Sequence, residues 1–119
     1  MAQSVSDECF NTQERWIDRV AVLAVQNDLD MLTAPMLTEA IGAVASKRPT
    51  VLIIDLTDVD FLASAGMSAL LNAQRDLGES LRLAVVAAGP TTARPLKVIG
   101  LDDLLRLYPS LDAALSELA

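Results

Sequence analysis

The sequence predicts a single mixed α/β domain with a largely parallel sheet, an N-terminal hairpin and about four helices. Three observations carry that prediction. Val20–Val25, Val51–Leu56 and Leu81–Ala88 are almost continuously apolar and rich in branched residues, as strands buried on both faces are. Between them, apolar residues recur at helical spacing. Strands alternating with helices imply parallel pairing through right-handed crossovers. At 119 residues and 52% hydrophobic the chain suits one core. With 3% aromatic residues that core is built from Leu, Val, Ile and Ala.

Residues 1–8 read as a frayed start, leaving 9–119 as the domain. Cys9 to Ile17 forms an edge strand that turns at Asp18-Arg19 into the strand beginning at Val20. Asn27-Asp28-Leu29-Asp30 breaks that strand, and Thr33 with Pro35 marks a helix start, Thr as cap and Pro in the first turn. Leu37, Ile41 and Val44 give this helix its buried face. It ends near Ser46-Lys47-Arg48, where the basic residues complement the helix dipole and Pro49 stops propagation. After the central strand, Thr57–Ala63 reads as a loop. Met67, Leu70, Leu71 and Leu77 then make one stripe of a second helix, Ser64 to about Gly78. Pro95 places the start of a short third helix near Thr92 or Arg94. Leu104–Leu107 reads as a last strand, and Ser110 caps a final helix.

Composition excludes several classes of function. A net charge of −7 opposes nucleic acid and anionic membrane surfaces alike. No apolar run reaches the roughly 18 residues that span a bilayer. The polar, acidic start is unlike a signal peptide, so a soluble cytoplasmic protein is expected. Lack of histidine removes Ser-His and Cys-His pairs and the commonest general base. The lone Cys9 has neither a disulfide partner nor a metal-ligating neighbour, and Asp7 and Glu8 disfavour its thiolate. The glycines form no phosphate-binding fingerprint. Asp28, Asp30, Asp55, Asp58 and Asp60 read as solvated loop carboxylates rather than a metal site. No cofactor, metal or catalytic residue is expected, and the chain reads as a binding protein.

The distinctive segment runs from Asp55 through Asp60-Phe61-Leu62-Ala63-Ser64-Ala65-Gly66-Met67 into the second helix. In this stretch, and in Asn27-Asp28-Leu29-Asp30, the chain resembles the STAS domain family, most closely its stand-alone bacterial anti-anti-sigma factors. Ala63 stands where that family has aspartate, and Asn27 where it has glycine. The resemblance implies a STAS-type sheet and a protein that binds an anti-sigma factor with serine-kinase activity, releasing a sigma factor for transcription. It implies that Ser64 is the phosphorylated residue, with Asp30, Asp60, Ala65, Gly66 and Met67 forming the partner-binding surface. An alternative within the family is a subunit docking onto a membrane lipid-transport complex or another signalling assembly.

Read without the family, Ser64 is a helix N-cap whose hydroxyl accepts a first-turn amide, worth about 1 kcal/mol. Asp30 is either a turn residue or a contact. Asp58 and Asp60 shape the loop and its charge, Gly66 is a packing glycine and Met67 a core residue. Phe61 and Trp16 read as core or strand-face residues with no ligand role.

Overall fold

The computed structural model describes residues 10–118, so the expected frayed start at 1–8 and Cys9 lie outside it. Strands β1 (Phe10–Ile17), β2 (Val20–Leu29), β3 (Val51–Leu62), β4 (Arg82–Val86) and β5 (Arg106–Tyr108) form one sheet in the order β1-β2-β3-β4-β5. The first pair is an antiparallel hairpin and every later pair is parallel. Helices α1 (Ala34–Ala45), α2 (Ser64–Leu77), α3 (Ala93–Val98) and α4 (Leu111–Leu118) connect or follow the strands. The hairpin, the parallel sheet and the four helices are those the sequence predicts.

Alternation along the strands divides the core in two. Ala21, Leu23 and Val25 of β2 and Leu52, Ile54 and Leu56 of β3 pack under α1, α2 and α3. Val20, Val22, Val51 and Ile53 point to the other face, where Ala114 and Leu118 of α4 cover them. The two faces explain why the strands are nearly continuous in apolar residues.

Three local expectations are revised. Residues 57–62 are not a loop, because β3 continues alongside β2 until Leu29 meets Leu62, with register shifts between Ala24 and Gln26 and between Asn27 and Asp28. Thr33 stands at the N-cap of α1 but its side chain does not cap the helix, since its backbone is already helical (ψ −17°). Lys47 and Arg48 lie beyond the end of α1, and Lys47 pairs with Glu14 of β1 at 2.7 Å instead of serving the helix dipole. By contrast Ser110 does cap α4, its hydroxyl accepting the Ala113 amide at 3.1 Å.

Candidate functional site

The carboxyl ends of β2 and β3 extend beyond the rest of the sheet and carry two adjoining segments, residues 30–33 and 62–67. Their closeness follows from register: Asp28 lies opposite Phe61 and Leu29 opposite Leu62, and the Ala63 amide donates to the Leu29 carbonyl at 2.9 Å. Asn27 makes this path possible. It sits at φ 72°, a left-handed conformation that Asn tolerates better than most residues.

In the first segment, Asp30 and Thr33 form a reciprocal box. Asp30 Oδ1 accepts the amides of Leu32 and Thr33 at 3.0 and 3.1 Å, while Thr33 Oγ1 accepts the Asp30 amide at 2.8 Å. This is the hydrogen-bond logic of a capping box, with Asp as cap and Thr three residues on. It prefaces α1 with one tight turn, and the Ala34 amide donates to the Asp30 carbonyl at 2.8 Å. The same box holds Met31 and Leu32 outward, 75% and 80% exposed.

In the second segment the helix begins one residue earlier than a Ser64 cap would require. Ala63 is the N-cap, with extended backbone and no side-chain cap bond, and Ser64 is the first helical residue. The expectation that Ser64 caps the helix is therefore corrected: at that position its hydroxyl belongs to the first turn, exposed and without a hydrogen bond to any of the described residues. The amides of Gly66 and Met67 both donate to the Ala63 carbonyl, at 3.0 and 3.1 Å. Gly66 lies against Leu29, where a Cβ would come within 2.7 Å of its Cγ and 3.0 Å of its carbonyl oxygen. Close helix-to-strand approach at this point requires glycine.

Residues 12–114 match the STAS domain family. The chain belongs to that family. This STAS domain is 43% identical over 97 residues to the anti-sigma-F factor antagonist RsfB of Mycobacterium tuberculosis, covering 82% of this chain and 80% of the relative. A crystal structure of an anti-sigma factor antagonist from Mycobacterium paratuberculosis superimposes with a TM-score of 0.86 at 44% identity, covering 91% and 92% of the two chains. The Bacillus cell fate determinant SpoIIAA in its phosphorylated form shares the fold, with a TM-score of 0.67 at 18% identity over 92% of this chain and 100% of that one.

Within the STAS domain the expected site residues separate into two groups. Ser64, Asp60 and, in part, Asp30 and Ala65 reach the surface around the β2 and β3 ends. Gly66 and Met67, also expected on the docking surface, are buried instead, because they face Leu29, Leu62 and the core under α2. They position the surface rather than form it. Phe61, expected to be core or strand-face, is 54% exposed beside Asp60. Met31, Leu32 and Phe61 are the residues that reading the sequence as a loop-rich region missed. The signal for the first two was present: Asp-x-x-Thr fixes a turn in which the two intervening apolar residues have nowhere to pack.

The adjoining ends of β2 and β3 thus carry exposed Met31, Leu32 and Phe61 together with exposed Asp28, Asp58 and Asp60. Among the described residues the one ion pair is Lys47–Glu14, so these carboxylates face outward without a cation. Among the same residues, no three Asp, Glu, His or Cys side chains converge as metal ligands, and no helix is long and apolar enough to cross a membrane. These residues offer apolar contact and negative charge near the exposed hydroxyls of Ser64 and Ser68.

Proposed function

We propose that this STAS domain is an anti-sigma factor antagonist that docks an anti-sigma factor on the surface around Met31, Leu32, Phe61 and Ser64, and that phosphorylation of Ser64 releases it. In this reading the chain is binder and kinase substrate, never catalyst, and its partner is itself the serine kinase. One observation carries the reading: where the ends of β2 and β3 adjoin, an exposed serine with no hydrogen bond to its hydroxyl among the described residues opens α2, and Met31, Leu32 and Phe61 on the same two adjoining segments are exposed. The likeness to RsfB and to the Mycobacterium paratuberculosis antagonist supports the choice of partner.

The switch acts locally. A phosphate on Ser64 brings roughly −1.5 to −2 charges and three acceptor oxygens. The start of α2 accommodates it within the chain, since the amides of Ser64 and Ala65 have no backbone acceptor among the described residues and the helix dipole favours an anion. A partner seated on Phe61 and Leu32 instead meets new bulk and charge beside Asp60. A loss of about 3 kcal/mol lowers affinity on the order of a hundredfold.

The test is a pull-down of the purified anti-sigma factor with Ser64→Ala, Ser64→Glu and Leu32→Lys. Retention by the first and loss by the other two are expected. Equal binding by the two Ser64 variants would sink the switch, and full binding by Leu32→Lys would sink the docking surface. Mass spectrometry after incubation with the kinase and ATP distinguishes Ser64 from the exposed Ser68 one turn along α2.

A further inference from the structure

A second exposed apolar cluster lies outside the site already described. Helix α3 is anchored by Ala93 and Leu96, and the short 3₁₀ turn Leu101–Asp103 that follows is anchored by Leu101 and Leu105. Between these anchors Val98, Ile99 and Leu104 remain 74%, 56% and 57% exposed. Gly100, at φ 83°, reverses the chain there, so the three come from the two arms of one bend. Three large apolar side chains on so short a segment are more than scattered surface residues, and such a cluster marks a contact surface.

Charge order around the bend narrows the occupant. Arg94 and Lys97 precede the apolar pair, while Asp102 and Asp103 follow it, all four exposed and none in an ion pair among the described residues. A partner of single-sign charge would be attracted to one arm and repelled by the other. A second copy turned through a two-fold axis brings the basic arm of one chain onto the acidic arm of the other at both ends, with the apolar residues meeting in the middle. Self-complementarity of this kind is what an isologous interface requires.

We infer that the α3 bend is a homodimer surface, in which Val98, Ile99 and Leu104 of two copies pack together and Arg94 and Lys97 of each face Asp102 and Asp103 of the other. Its small apolar area makes the dimer a weak one, formed as concentration rises. This surface is separate in sequence from the one proposed for the anti-sigma factor, and the inference does not depend on that reading.

Sedimentation velocity over a concentration series, on the full chain alone, tests it. The wild type is expected to shift from the mass of one chain to that of two. Ile99→Lys should weaken the association by about tenfold or more, as removal of a central apolar contact does. Reversing the basic arm (Arg94→Glu with Lys97→Glu) should weaken it several-fold, and adding Asp102→Lys with Asp103→Lys should restore it. A wild-type circular dichroism spectrum of the two-fold variant separates a lost contact from misfolding. A single-chain mass throughout the series, a dimer untouched by Ile99→Lys, or failure of the charge swap to restore association would each overturn the inference.

Discussion

Asn27 and Gly66 show how single residues set the geometry around Ser64. Asn27 holds a left-handed backbone at the bulge where β2 continues past Asp55, which rationalises why a related sequence would place glycine there. Replacing it with glycine should preserve the fold, whereas Asn27→Val should cost about 1–2 kcal/mol in urea unfolding, the penalty of that conformation for a residue with a branched Cβ. At Gly66 the limit is space. Gly66→Ala drives a methyl group into Leu29 and Leu62, and a loss of about 1–3 kcal/mol is expected. Ser64 provides the contrast. Because Ala63, not Ser64, caps α2, Ser64→Ala should leave stability within about 0.5 kcal/mol of wild type, so any binding defect it produced would not be a folding defect.

At the scale of elements, the Asp30–Thr33 box couples the end of β2 to the start of α1. Asp30→Ala should cost about 1 kcal/mol in thermal or denaturant unfolding, the usual value of a lost cap. Asp30→Asn keeps an oxygen able to accept the Leu32 and Thr33 amides and should unfold nearly as the wild type does. Comparing the two in binding therefore separates the charge of Asp30 from its part in holding Met31 and Leu32 outward. The elements themselves were legible in the sequence where apolar periodicity was strong: the buried runs of β2, β3 and β4 and the stripes of α1 and α2. Where it weakened, the outline blurred. Thr57, Asp58 and Asp60 read as a loop because their side chains face solvent, yet Asp58 pairs with Gln26 of β2, and Thr57 and Asp60 fall at register shifts within the same continuous strand. The site was legible in position, through Ser64 and Asp60, but not in composition. Whether Phe61 or Met67 is the outward residue depends on strand register and on helix phase, and the one-residue shift of the α2 cap reversed the reading of Ser64.

For the molecule as a whole, charge is distributed unevenly along the sheet. Asp28, Asp58 and Asp60 gather at one end, so association with a basic partner there should slow as salt rises, read from stopped-flow on-rates. At the hairpin, the hydrogen bond from Lys47 first, then that from Trp16 Nε1, holds the Glu14 carboxyl below the usual carboxylate range. A depressed folded pKa contributes stability above the unfolded pKa of glutamate and loses it as pH falls through the folded value. Glu14→Ala should therefore be destabilised by less than about 1 kcal/mol at neutral pH, with the gap to wild type closing on acidification, as equilibrium unfolding would measure.

The antiparallel hairpin has a practical corollary for anyone attaching a probe. Since Phe10 lies opposite Asn27, a dye or affinity handle attached at the start of β1 would report on the end of the sheet that carries Asp28 and Phe61. Leu118 instead packs in the cluster with Val20 and Val51, at the opposite ends of those same strands. A handle placed after α4 leaves the Ser64 surface unobstructed, and a mismatch between the two labelling schemes would itself report how near a bound partner comes to the hairpin.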